Sequence, residues 1–236
     1  IDILHSIKKN KKTSSNTPTV NGNVVGSFHD KDNNLRFFRM NSWIEGRLWS
    51  KVNPINKSLR FELGEISAKI LNELKKVKKG YLREKFDWDL QNFLWTEKYI
   101  NEIDISKRNV VKKLISNFKH QEEKYKQLRK SIIHNDINDN NIIVSEDLKV
   151  PSINGIIDFG DCTHTQLINE VAILCTYAII GSKNPLISAC EVLEGFNNSL
   201  KIKEEEIDFL YDLILIRITV SLIKSSLNKK NNRENK

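Results

Sequence analysis

The spacing of hydrophobic positions changes character at Phe61. Before it lie short strand-like runs, Val24-Val25 and Leu35-Arg36-Phe37-Phe38-Arg39-Met40, separated by turn-forming residues at 22–26 and 30–34. Runs of this length between Gly, Asn and Asp clusters predict a small hairpin or sheet edge. After it, Leu63, Ile66, Ile70, Leu74 and Val77 recur at helical spacing, with Gly80 as the stop. A second helical pattern covers 87–103, with Trp88, Leu90, Phe93, Leu94 and Ile100. A third covers 107–128, with Val110, Val111, Leu114, Ile115 and Phe118 on one face and charges on the other. Three short apolar runs come next, Ser131-Ile132-Ile133, Asn141-Ile142-Ile143-Val144 and Gly155-Ile156-Ile157, and read as strands. Helical spacing then returns at 169–180, 186–200 and 204–227. The pattern predicts an α+β fold: a small strand-containing piece, then a mostly helical domain with a short β element in its middle. Residues 1–18 are rich in Lys, Asn, Ser and Thr and are expected to be loosely ordered, and the polar tail 228–236 to be disordered.

Composition narrows the function classes. With 39% hydrophobic and 29% charged residues, the 236-residue chain can bury a substantial core. The net charge is +8 and the isoelectric point about 9.2, a balance that suits a phosphate-bearing ligand or a nucleic acid. The basic residues cluster at the ends, at Lys8, Lys9, Lys11 and Lys12 and again at Lys229, Lys230, Arg233 and Lys236. No aromatic residues interleave with them, which argues against nucleic acid as a partner. The three cysteines, Cys162, Cys175 and Cys190, lack metal-ligand spacing. Their odd, sparse count fits a reducing cytoplasm rather than a disulfide scaffold. The longest apolar runs, such as 171–180, are too short for a bilayer, so no membrane association is expected. No internal repeat is present, and the acidic run 204–206 reads as a solvated face.

Two polar motifs interrupt the β element. His134-Asn135-Asp136-Ile137-Asn138-Asp139-Asn140-Asn141 lies between two apolar runs, so a polar loop is held between buried strands. An Asn/Asp-rich turn would use the same residues. The order His-x-Asp-x-x-x-x-Asn has, however, the spacing of a phosphoryl-transfer loop. There a carboxylate at Asp136 would take the proton of an attacking hydroxyl, and the amide oxygen of Asn141 would suit a hard cation. His134 would brace the loop. Seventeen residues after Asn141 comes Ile156-Ile157-Asp158-Phe159-Gly160-Asp161. Asp158 at the end of an apolar strand suits Mg²⁺, and Gly160 lets the backbone turn away. Asp161 is either a second carboxylate of that site or a cap for the next segment of chain.

In these motifs the chain resembles the aminoglycoside phosphotransferase and choline kinase-like family, within it most of all the hydroxylysine kinase-like branch. The resemblance also rests on Asn169-Glu170-Val171-Ala172-Ile173, Trp88-Asp89-Leu90 and Arg217-Ile218-Thr219-Val220-Ser221, and covers roughly residues 20 to 225. It implies a protein-kinase-like fold, mainly the helical C-lobe with a short catalytic β-hairpin and a remnant of the N-lobe sheet. The implied division is 1–46 as N-lobe remnant and inter-lobe linker, 47–227 as catalytic lobe and 228–236 as tail. The implied activity is transfer of the γ-phosphoryl group of ATP or GTP to a small-molecule hydroxyl, such as that of hydroxylysine, with Mg²⁺. Homoserine, choline-like alcohols and aminoglycosides remain open as acceptors.

The same resemblance implies roles for single residues. Asp136 would be the base, and Asn141 and Asp158 the Mg²⁺ ligands. Ser42-Trp43-Ile44-Glu45-Gly46 would form the lobe linker beside the nucleotide base, with Trp43 and Ile44 touching it. Asp161, Glu170 and Arg217 are candidate substrate residues, with Glu170 alternatively holding the catalytic region and Arg217 alternatively a surface arginine. The family's phosphate-covering loop and strand-borne lysine are not visible before Gly22. Together with a first residue Ile1 and an early end after the Arg217 helix, this suggests a fragment of a longer protein, catalytically inactive if the missing lobe is essential. A protein kinase proper is disfavoured, because no Ala-Pro-Glu-like anchor comes after Asp158.

Overall fold

The computed structural model describes residues 12–77, 82 and 86–234. Ile1, Lys8, Lys9, Lys11, Gly80 and Lys236, on which several sequence readings rest, lie outside the described residues.

The chain enters along the edge of strand β8 (Ile153–Ile156). Thr13 forms a parallel bridge to Ile156, and the Ile156 N–H donates to the Lys12 carbonyl at 2.9 Å. Strand β1 (Asn16–Thr17) then pairs antiparallel with β4 (Met40–Asn41), enclosing a hairpin of β2 (Gly26–His29) and β3 (Leu35–Phe38). Residues 12–17, expected to be loosely ordered, are therefore held by backbone pairing. The hairpin was expected at Val24-Val25 and forms two residues later. Its turn decides this: Asp30 Oδ1 accepts the N–H groups of Asp32 and Asn34, and Asn33 takes a left-handed φ of 59°. That Asx geometry sets the register His29 opposite Leu35. The hairpin and the linker after it leave large apolar side chains exposed, Phe37 and Trp43 most of all.

Strand β5 (Arg47–Leu48) joins a three-stranded antiparallel sheet with β7 (Ile142–Val144) and β8 (Ile153–Ile156), in the order β5-β7-β8. Two further strands, β6 (Lys130–Ile133) and β9 (Thr163–Gln166), pair with each other and frame the polar loops. Strand β9 has no hydrophobic run. Its Thr-His-Thr-Gln sequence hides it from a pattern-based reading, yet Thr165 and Gln166 are fully buried.

Helices α1 (Lys57–Leu74), α2 (Ile105–Lys126), α3 (Ile168–Ile179), α4 (Pro185–Ser199) and α5 (Glu204–Glu234) build the larger part. Their starts obey capping chemistry: Asn56, Asp104 and Asn184 accept the N–H groups of Leu59, Ser106 and Ile187. Helix α3 is apolar nearly all round and lies at the centre, against α4 and α5. Helices α1 and α4 pack unusually closely through glycine. A Cβ on Gly64 would lie 2.1 Å from the Val192 carbonyl oxygen, and one on Gly195 1.9 Å from that of Phe61.

Two helical expectations need correction. The segment 87–103 is a 3₁₀ helix over Leu90–Glu102. Its buried residues, Leu90, Phe93, Thr96 and Ile100, follow at intervals of three, three and four. At the other end, α5 runs on to Glu234, and Lys230 Nζ lies 3.1 Å from Glu102, so the expected disordered tail is helical through 234. The acidic run also differs from expectation. Glu206 is fully buried and takes a two-point ion pair from Arg129, with Nε and Nη2 at 2.9 and 2.8 Å. No helix among the described residues is long and apolar enough to cross a membrane.

Candidate active site

The polar loop between β6 and β7 is tied down at each of its first residues. His134 is fully buried, and its Nε2–H donates to the Ile157 carbonyl at 2.9 Å. Its Nδ1 accepts the Asp136 backbone N–H at 3.2 Å. That pair of bonds assigns the neutral tautomer, in keeping with burial, which holds the imidazole below its ordinary pKa. His134 thus links the loop to the residue preceding Asp158.

Beneath the loop lies Glu170, from the first turn of α3 and fully buried. Its two carboxylate oxygens accept the backbone N–H groups of His134 and Asn135, at 3.1 and 2.9 Å. Burial, with the Asp136 charge in addition, raises its pKa to about 7 against the pull of those two hydrogen bonds. Glu170 holds the loop and presents no open face to a substrate. Asn135 above it has a φ of 68°, and Asp158 has a φ of 62°. Two of the three non-glycine positive-φ residues among the described residues therefore fall in this one site, where sparsely populated backbone conformations tend to concentrate.

Asp136 is partly exposed, and both carboxylate oxygens have protein donors. Asn141 Nδ2 donates to Oδ2 at 2.9 Å and to the Asp136 carbonyl at 2.8 Å. Arg217 Nη2 donates to Oδ1 at 3.0 Å. The spacing of five between Asp136 and Asn141 thus closes a loop whose ends meet. With its amide nitrogen engaged on Asp136, Asn141 has its oxygen left for a cation. Asp158 comes after β8, is exposed, and accepts the Gly160 N–H at 3.3 Å. The Ile157 N–H donates to the Asn141 carbonyl at 3.0 Å, so the two candidate metal ligands sit on directly bonded backbone segments. Among the described residues, no three His, Cys, Asp or Glu side chains converge as a metal-binding group. One carboxylate and one amide oxygen nevertheless suit Mg²⁺, which keeps water and phosphate oxygens in its shell rather than an all-protein cage.

The linker residues are positioned by the same hairpin. Gly46 has a φ of 138°, and a Cβ there would lie 2.3 Å from the Val144 carbonyl oxygen. Asn154 Nδ2 donates to the Glu45 carbonyl at 2.8 Å. Ile44 packs over Gly155, where a Cβ would meet its Cδ1 at 2.6 Å, while Trp43 is 81% exposed. Asp161 lies in the 3₁₀ turn Phe159–Asp161 after Asp158.

Arg217, a candidate substrate residue by sequence, is 1% exposed and faces Asp136. Sequence reasoning missed what surrounds it. The Trp88 and Tyr177 rings lie over the guanidinium, with centroids 4.7 and 5.5 Å from Cζ. It also missed a buried polar chain from Tyr125 through Asn169 and Thr165 to Asp89, with links of 2.9, 3.2 and 2.8 Å. Burial raises the Asp89 pKa despite those bonds. Only the Trp88-Asp89-Leu90 segment hinted at it.

A protein-family model described as the phosphotransferase enzyme family (APH) matches residues 19–196. The hydroxylysine kinase of Mus musculus is 31% identical over 209 residues, covering 84% of this chain and 55% of that protein. That of Bos taurus is 31% identical over 196 residues, covering 78% and 52%. The chain thus spans about half the length of the curated relatives it matches. Among solved structures, the amicoumacin kinase hAmiN in complex with AMP-PNP, Ca²⁺ and Ami superposes with a TM-score of 0.72 at 17% identity. It covers 96% of this chain and 69% of its own. A microcompartment-associated aminopropanol kinase also gives 0.72, at 16% identity, covering 94% and 70%.

Proposed function

Since the chain belongs to the phosphotransferase enzyme family, we propose that it carries the catalytic centre of a small-molecule kinase, one that moves the γ-phosphoryl group of ATP or GTP onto a hydroxyl. The observation that carries this reading is the Asp136 carboxylate, fixed by Asn141 and Arg217 at the mouth of a loop that Glu170 holds from below. A carboxylate held in this way can accept a hydroxyl proton as the bond to phosphorus forms. His134 and Glu170 keep the loop in shape and do not react. Asn141 and Asp158 would hold Mg²⁺, which when bound neutralises charge on the phosphate oxygens. Ile44 and Trp43 would line the nucleotide base. The likeness to hydroxylysine kinases makes a hydroxylated amino acid the first acceptor to try, with amino alcohols and aminoglycosides next. Phosphate-dense substrates such as nucleic acid are not part of the reading.

The test is acceptor-dependent phosphorylation, read by mass spectrometry of the acceptor, with ATP or GTP and Mg²⁺. A product mass increased by one phosphoryl group, lost in Asp136→Asn, supports the reading. Equal turnover by Asp136→Asn contradicts it. No product with any acceptor means that this chain does not act alone.

A further inference from the structure

Arg217 lies in an apolar stretch of α5, between Leu213 and Ile216 on one side and Val220 on the other, all fully buried. A guanidinium in such surroundings is costly unless it is paired. Its Nη2 donates to Asp136 Oδ1 at 3.0 Å and to the Tyr177 hydroxyl at 3.1 Å. Among the described residues, Nε and Nη1 have no hydrogen-bond acceptor. The remaining neighbours are two aromatic faces from separate segments, Trp88 before the 3₁₀ helix and Tyr177 on α3. A guanidinium that contacts two rings and donates to the hydroxyl of one of them has little rotamer freedom left.

The consequence falls on Asp136. A lone aspartate in a loop can rotate about two side-chain bonds, and a base that rotates spends much of its time misaligned with the hydroxyl. Asn141 holds Oδ2 from within the loop. Arg217 holds Oδ1 from a helix 81 residues further along the chain. Two donors from different elements fix the carboxylate plane.

We propose that Arg217, held against Trp88 and Tyr177, is a positioning residue that sets the orientation of the Asp136 carboxylate for proton transfer. This rests on the reading of Asp136 as the base. Arg217 itself does not touch the acceptor. It acts through Asp136, and the aromatic pair acts through Arg217.

The test uses the full chain with Arg217→Ala, Arg217→Lys and Asp136→Asn. Arg217→Ala leaves a guanidinium-sized space beside the two rings. Its kcat is expected to fall by about 100-fold, with the nucleotide KM within about threefold of wild type, as for loss of alignment rather than of binding. Added ethylguanidinium is expected to restore about tenfold of that loss in Arg217→Ala and none in Asp136→Asn. Arg217→Lys, with the charge but no fork, should fall between. A merely structural arginine would lower stability and leave kcat per folded molecule unchanged and unrescued, and either result overturns the proposal.

A double-mutant cycle of Arg217→Lys and Asp136→Asn, read by urea unfolding, needs no turnover. The expected coupling is about fivefold or more in the unfolding equilibrium constant. Additive effects overturn the proposal. The cycle decides the matter if Arg217→Ala does not fold. If the wild-type chain phosphorylates no acceptor, the kinase reading fails for this chain while the coupling still tests the clamp.

Discussion

The carboxylate of Glu170 accepts the backbone N–H of Asn135 at 2.9 Å from beneath, across 35 residues of sequence. With the matching bond to His134, this one side chain fixes the entrance of the catalytic loop, and it does so fully buried.

That burial has a pH signature. The Glu170 pKa rises from 4.5 to about 7 on folding. Between those values the native state holds more protons than the unfolded state, so this group's contribution to stability declines as pH rises from 4.5 to 7. The full decline is on the order of 3 kcal/mol. Urea unfolding of wild type and Glu170→Gln across this range measures it. The wild type should lose stability relative to the variant as pH rises, and a constant difference would show that Glu170 does not titrate there.

The helix pair α1–α4 depends on the absence of two side chains. In Gly64→Ala the new Cβ meets the Val192 oxygen at 2.1 Å and the Phe196 nitrogen at 2.6 Å, both backbone atoms that cannot rotate away. Overpacking of this kind costs about 1–3 kcal/mol. A lowered urea midpoint with an unchanged slope is the expected outcome, and an unchanged midpoint would contradict the packing.

Arg129 and Glu206 should respond asymmetrically. Glu206 is fully buried and Arg129 is 29% exposed. Arg129→Met strands a buried carboxylate and should cost about 3–5 kcal/mol. Glu206→Gln leaves an arginine that can reach water, so the expected cost is smaller, about 1.5–3 kcal/mol, the range of a lost charge-assisted hydrogen bond. Equal costs in thermal or urea unfolding would argue against this picture.

The arrangement of Asp136, Asn141 and Asp158 was legible because its logic is local. Asp136 and Asn141 are five residues apart, and Asp158 comes one hairpin later, so spacing alone carries the arrangement. The same holds for helices α1 to α4, whose runs of apolar positions mark them within a turn or so. The features that escaped the sequence depend on distant partners. Arg217 and Glu206 are charged residues that would be solvated on most helices, and only the positions of Asp136 and Arg129 explain their burial. Strand β9 has no apolar run, because its buried threonines and glutamine are packed against other polar groups. Lys12 and Thr13 look like a polar tail until β8 offers them a free edge. The 3₁₀ segment buries Leu90, Phe93, Thr96 and Ile100, a spacing that an α-helix could also show.

Kinase chemistry at Asp136 requires that Asn141 and Asp158 make a metal–nucleotide site beside it. Calorimetric titration of the chain with ATP and with GTP, with and without Mg²⁺, and of Asp158→Ala alongside, tests this most directly. The expected result is nucleotide binding that requires Mg²⁺ and weakens by about tenfold or more in Asp158→Ala. Binding of equal strength in the variant, or binding indifferent to Mg²⁺, would contradict the assignment of Asp158.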